Sequence, residues 1–76
     1  RAEPYREMKE IFEKSLVAAV DIPAGTVLTR EMVAIKKPGT GISAARLDEF
    51  IGRVVCRHVC AGHIFNLDDF DGPLDE

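Results

Sequence analysis

The chain carries one pattern twice, as VAAVDIPAGTVLTREMV at residues 17–33 and as VVCRHVCAGHIFNLDDF at residues 54–70. The two segments align without a gap, and their Ala-Gly pairs coincide at Gly25 and Gly62. Each copy then passes a residue that favours helix starts, Thr29 or Asn66, before it reaches an acidic residue. The repeat predicts a domain with internal pseudo-two-fold symmetry. The unrepeated segment between the copies that contains residues 36–43, called the joint below, is then the place to look for function.

The first copy is predicted to form short strands separated by turns. Residues 15–20 are rich in valine and alanine, which is typical of a short buried strand. Residues 21–25 form a turn, because proline fixes one dihedral and Gly25 supplies a positive φ. Residues 26–28 and 33–37 are predicted to be further strands, with a helical turn capped by Thr29 between them.

A short helix is predicted after the joint, with Ser43 as its cap and Gly52 as its end. With the second copy added, the chain is predicted to be a compact, mostly β domain with short helical turns. The predicted core consists of Leu16, Val17, Ile22, Val27, Leu28, Met32, Ile35, Leu47, Phe50, Ile51, Val54, Val59, Ile64, Phe65 and Phe70.

Size and charge exclude several classes of function. A domain of 76 residues buries only about 60% of its unfolded surface, so there is little room for both a core and a deep active site. The net charge of −3 and a single adjacent basic pair, Lys36-Lys37, argue against nucleic-acid binding. The sequence contains no apolar run of transmembrane length, so no membrane partner is expected.

The two ends differ in composition from the repeat. Residues 1–14 are charged and helix-compatible, and we expect a linker or short helix leading from a preceding domain. Residues 15–70 are the predicted domain, and residues 71–76 are expected to form an acidic flexible tail. Because the chain opens with Arg1 rather than Met, we expect it to be a piece of a longer protein.

The second copy contains Cys56, His58, Cys60 and His63, which raises the question of a disulfide or a metal site. On a strand the two cysteines would lie about 13 Å apart, whereas a disulfide needs Cα atoms within about 7 Å. Free thiols are typical of a cytoplasmic protein. The first copy forms the same pattern with no Cys or His, so no metal site is predicted.

The joint contains the candidate binding residues. No catalytic residue is predicted in the joint or in the rest of the chain. They are Lys37, Pro38, Gly39, Thr40 and Gly41. The two glycines allow the backbone to approach a small polar ligand closely, whereas strand alternation would let only one lysine of the Lys36-Lys37 pair face it. An ordinary turn with solvated lysines is the alternative interpretation of the same residues.

These segments resemble a known family. Residues 15–19 (SLVAA), 21–29 (DIPAGTVLT), 37–43 (KPGTGIS) and 51–53 (IGR) are similar to the SAF, or antifreeze-like, domain with its β-clip fold. The resemblance runs from Ser15 to Phe70. The segment KPGTGIS is similar in particular to the domain that closes the C-terminus of bacterial sialic acid synthases (N-acetylneuraminate synthases).

The resemblance implies a non-catalytic, sugar-binding role within a transferase of carbohydrate biosynthesis. In that family a TIM barrel condenses phosphoenolpyruvate with N-acetylmannosamine or a related amino sugar, using a divalent metal that the barrel holds. The antifreeze-like domain closes the active site of the partner subunit in a domain-swapped homodimer. An arginine usually precedes Pro-Gly in the family and reaches the acyl group of the sugar, whereas this chain has Lys37.

Two other functions share the same fold and remain open. Fish type III antifreeze proteins bind ice through a flat, uncharged face, but here Arg30 and Glu31 would lie within that face. SAF modules also occur in pilus or flagellar assembly factors and in sugar-acid dehydratases. The Lys-Pro-Gly-Thr-Gly segment favours the synthase over the assembly factors and the dehydratases.

Overall fold

The computed structural model describes residues 11–71. Residues 1–10 of the predicted linker and residues 72–76 of the predicted tail therefore lie outside the described residues. Within the described part, Ile11 and Phe12 are helical and exposed, and the chain then turns into the first strand.

A two-stranded antiparallel sheet forms the regular part of the fold. Strand β1 is Ser15–Ala18 and strand β2 is Val33–Lys36. Their register pairs Ser15 with Lys36 and Ala18 with Val33. All four residues of β1 are buried, as the apolar composition of this segment predicts, although the strand ends two residues earlier than expected.

The two aligned copies pair with each other through single-residue antiparallel bridges. These bridges are Val17 with Ile64, Ile22 with Val59 and Val27 with Val54. The central bridge is reciprocal, because the Ile22 N–H donates to the Val59 carbonyl at 2.8 Å and the Val59 N–H donates back at 2.9 Å. Residues 26–28, predicted to be a strand, form only one of these bridges.

Short helical segments follow the strands and bridges. They are the 3₁₀ turns Arg30–Met32, Ala44–Arg46 and Leu67–Asp69 and the helical turn Leu47–Phe50. Ser43 caps its segment as predicted, since its hydroxyl accepts from the Ala45 N–H. Asn66 does the same for the Asp68 N–H. The predicted side-chain cap of Thr29 is wrong: its side chain makes no capping hydrogen bond, and the exposed residue is open to water.

The core agrees with the prediction at most positions and differs where strand orientation decides burial. Its aromatic centre is Phe65 and Phe70, with ring centroids 5.4 Å apart, and Phe50, 4.9 Å from Phe70. Val27 was expected to be buried but is 51% exposed, because its backbone pairs with Val54 while its side chain faces outward. Buried positions that the prediction missed are Ala18, Val33, Ile42, Ala44 and Val55.

The described residues thus form a small, mostly β domain with a few short helical turns. No helix among residues 11–71 is long and apolar enough to cross a membrane.

Candidate functional site

The predicted binding residues form a loop that leaves the end of β2. This strand ends at Lys36, and the Lys37–Pro38 peptide bond that follows is cis. The chain returns to the core at Ile42, whose N–H donates to the Phe65 carbonyl at 3.0 Å and whose carbonyl accepts from the Leu16 N–H at 2.9 Å. Residues 37–41 therefore span a short excursion with both ends anchored.

One buried side chain ties this loop together from inside. Ser15, the first residue of β1, is completely buried. Its hydroxyl donates to the Pro38 carbonyl at 2.6 Å and accepts from the Gly41 N–H at 3.0 Å. A single hydroxyl thus satisfies backbone groups near both ends of the loop.

The two glycines of the loop lie close to neighbouring backbone. A Cβ atom at Gly39 would lie 2.9 Å from the carbonyl carbon and oxygen of Glu13. A Cβ atom at Gly41 would overlap the Phe65 carbonyl oxygen and the Ile64 side chain. The two glycines therefore allow close approach to other parts of this chain, and their approach to a ligand stays a prediction.

Both residues of the Lys36-Lys37 pair line one cavity beside the start of the loop. The cavity has a volume of about 400 Å³, and both side chains are exposed. Strand β2 ends at Lys36, so Lys37 already belongs to the loop. The other residues lining it are small or apolar: Val17, Ala18, Ala19, Ala34, Gly62 and Ile64.

The far end of the loop borders a different groove. Thr40 and Gly41 line a cavity of about 530 Å³ together with Ser43 and Arg46 on one side and Asn66, Leu67 and Asp68 on the other. Arg46 is engaged there, since its guanidinium pairs with Glu49 at 2.9 Å and lies over the Phe50 ring. Of the predicted site residues, Lys37 therefore lines one cavity and Thr40 and Gly41 line the other, whereas Pro38 and Gly39 line neither.

The cysteines and histidines of the second copy do not converge. Cys56 and Cys60 are free and exposed. Among residues 11–71 no group of three or more Cys, His, Asp or Glu side chains could hold a metal ion. The His63 Nε2 atom instead forms a hydrogen bond with the Asp69 side chain, 2.7 Å from Oδ2.

The carboxylate of Asp69 is a feature that sequence reasoning did not single out. Asp69 is completely buried, and its Oδ2 atom also accepts from the Asn66 N–H at 2.9 Å. Its Oδ1 atom has no hydrogen bond and lies 3.4 Å from Arg57 Nε in an ion pair. The spacing Asn66-x-x-Asp69 was the available signal, since it is a capping-box pattern.

Comparison with known proteins places the chain in a family. Residues 13–71 match the SAF domain. The chain is also 40% identical over 48 residues to the N,N'-diacetyllegionaminic acid synthase of Campylobacter jejuni. That alignment covers 63% of this chain but only 14% of the relative, so the chain corresponds to a small part of that protein's length. Because the match spans most of the sequence and nearly all of the described fold, the chain belongs to the SAF domain family.

Proposed function

We propose that this chain is the non-catalytic capping domain of a sialic-acid-synthase-type enzyme, which condenses phosphoenolpyruvate with N-acetylmannosamine or a related amino sugar. The observation that carries the proposal is the 40% identity to a legionaminic acid synthase. The proposed partner is a TIM-barrel domain of the same protein, in the partner subunit of a domain-swapped homodimer. Nucleic acid and membrane are not proposed partners.

The loop of residues 37–41 is proposed to contact the acceptor sugar. The ends of the loop are held by Ser15 and by the backbone of Ile42. Because the loop is already ordered, it loses little conformational entropy when a ligand binds. Lys37 is exposed at the start of the loop and is proposed to donate to the acyl oxygen or a hydroxyl of the sugar. A lysine there keeps the positive charge of the family's arginine but lacks its planar, bidentate fork.

Closure over the barrel is the proposed contribution to catalysis. A lid of this kind excludes water from the reacting groups and orients the acceptor, while the chemical step is left to the barrel. The described residues do not fit a divalent metal, since no group of ligand side chains converges among them. The divalent metal and the phosphoenolpyruvate ligands are proposed to lie in the barrel, as the resemblance implies.

We also propose that the fold is a β-clip with pseudo-two-fold symmetry between the aligned copies. Equivalent hydrogen bonds support this interpretation. The Gly25 N–H donates to Val55 at 2.6 Å, and the corresponding Gly62 N–H donates to Ala18 at 2.8 Å. The two glycines have nearly equal φ values of 89° and 93°. A paired scaffold of this kind would restrict the conformation of the joint between the copies.

A cytoplasmic location is proposed because two exposed thiols are free. Ice binding is less well supported, since the residues of the candidate ice face include exposed Arg30 and Glu31, and charged groups retain their own hydration. A role as a SAF module in pilus or flagellar assembly, or in a sugar-acid dehydratase, has no specific feature of this chain in its favour.

Acceptor kinetics of the full-length enzyme test the role of Lys37. Replacement Lys37→Ala removes a charge-assisted hydrogen bond, so the acceptor-sugar KM is expected to rise about tenfold. The phosphoenolpyruvate KM should stay unchanged, and Lys37→Arg should retain or improve acceptor binding. Arg30→Ala removes an exposed cation outside the loop, together with its hydrogen bond to the Val33 carbonyl, and serves as the control for loss of charge. Unchanged acceptor KM and kcat in Lys37→Ala would refute the proposed contact.

A further inference from the structure

We infer that Ser15 is a positioning residue for the acceptor-binding loop, acting through its two hydrogen bonds to that loop. This inference rests on the proposed function of residues 37–41. Ser15 lies outside the loop in sequence, in the interior of the domain, and it cannot touch a ligand because it is completely buried. Any influence on the sugar must therefore pass through the backbone of the loop.

Both hydrogen-bonding capacities of the hydroxyl are used by the same loop. The proton goes to the Pro38 carbonyl at 2.6 Å, and a lone pair accepts the Gly41 N–H at 3.0 Å. These two groups belong to different peptide units, and neither is part of the β1–β2 ladder. The hydroxyl thus fixes the separation between the start and the end of the loop.

The position of Ser15 in the sheet makes it suitable for this role. Its register partner in β2 is Lys36, the last residue before the loop. It also forms a bridge with Ser43, which follows the loop. The backbone of Ser15 holds the two flanks, while its side chain holds the loop between them. A side chain without a hydroxyl would leave the flanks paired and release only the loop.

Lys37 is the residue that such a release would affect most directly. The Pro38 carbonyl, which accepts the Ser15 hydroxyl proton, belongs to the residue directly after Lys37. A change in this anchor would move the ammonium group relative to the acceptor, and catalytic arrangements are sensitive to displacements of about 1 Å. The remaining contacts of Gly39 and Gly41 with neighbouring backbone limit the motion, so the expected effect is partial.

The experiment uses the full-length protein with Ser15→Ala, Ser15→Cys and the matched control Thr26→Val. Thr26 also donates a hydroxyl proton to a proline carbonyl, Pro23, at 2.7 Å, but in a different turn. Hydrogen–deuterium exchange by mass spectrometry follows peptides that cover residues 36–43 and 21–28. Ser15→Ala should speed exchange in the first peptide about fivefold or more and leave the second unchanged. Thr26→Val should leave the first peptide unchanged.

Kinetics then show whether the loop geometry matters for the ligand. Ser15→Ala is expected to raise the acceptor-sugar KM about fivefold without changing the phosphoenolpyruvate KM, and Ser15→Cys should give a smaller rise. Native-like exchange in residues 36–43 of Ser15→Ala would overturn the inference, as would an unchanged acceptor KM when Lys37→Ala raises it. If Ser15→Ala does not fold, the same outcomes are read from Ser15→Cys. Faster exchange with no kinetic effect from either Ser15→Ala or Lys37→Ala would instead reject the proposed function.

Discussion

At the scale of single residues, the second copy carries a polar pair that the first copy lacks, the buried Asp69 and the half-buried His63. Asp69 and His63 align with Met32 and Thr26 of the first copy. The Asp69 carboxylate is completely buried and is held by His63, by the Asn66 N–H and by an ion pair with Arg57. A buried carboxylate is stable only when such partners are present, so the two substitutions are expected to depend on each other.

This dependence predicts a non-additive double substitution. His63→Thr removes a partner of the buried carboxylate and should cost about 1–3 kcal/mol. Asp69→Met removes the capping box and should cost about 1–2 kcal/mol. The double variant, which recreates the pair of the first copy, should be destabilised by less than the sum, with a coupling of about 0.5–3 kcal/mol.

Urea denaturation of the four proteins in this cycle gives the coupling energy. Thr26→Val combined with Asp69→Met is the control, because the two residues share no hydrogen-bond partner among the bonds of residues 11–71, and additivity is expected. Additive costs for His63→Thr and Asp69→Met would contradict the proposed dependence.

At the scale of elements, the sequence was informative where composition and pattern agree. Strand β1 could be predicted because apolar and β-branched residues run together in a short segment, and β2 because its apolar residues precede a proline. Ser43 and Asn66 could be predicted as caps from residue type alone. Residues 26–28 could not be assigned correctly, because a single bridge and a short strand share the same local composition.

The side-chain directions of the bridged segments could not be predicted either. Val54 and Val55 are adjacent valines, and the long-range pairings of Val54 with Val27 and of Val55 with Phe70 accompany the complete burial of Val55. The loop was located from its glycines and proline. Its anchor at Ser15 depends on a contact between residues far apart in sequence, which local pattern does not contain.

Burial also predicts which apolar residues matter for stability. Leu16→Ala should cost about 2–5 kcal/mol, because Leu16 has no exposed surface and a cavity would remain. Val27→Ala is the matched control, and since the side chain is 51% exposed it should cost about 0.5 kcal/mol or less. In a domain of this size the first change lowers Tm by about 10 °C or more. Equal Tm values for the two variants in thermal unfolding would contradict the observed orientation of Val27.

At the scale of the whole molecule, a small domain with one core has few ways to contribute to catalysis. Its described residues offer two surface cavities beside one anchored loop, and no cluster of ligand side chains that could hold a metal. In the proposed role the domain is a lid over an active site that lies in another domain. The question for this proposal is which subunit's active site the lid covers.

A mixed dimer of the full-length enzyme answers this question. One subunit carries Lys37→Ala and an intact barrel; the other carries an intact loop and a barrel with an inactivated phosphoenolpyruvate site. Different affinity tags allow the mixed species to be purified. If the domain serves the partner, the active barrel is covered by the intact loop and the acceptor-sugar KM should equal that of the wild type. An acceptor KM raised about tenfold, as in the Lys37→Ala homodimer, would show that each loop serves its own barrel and would contradict the proposal.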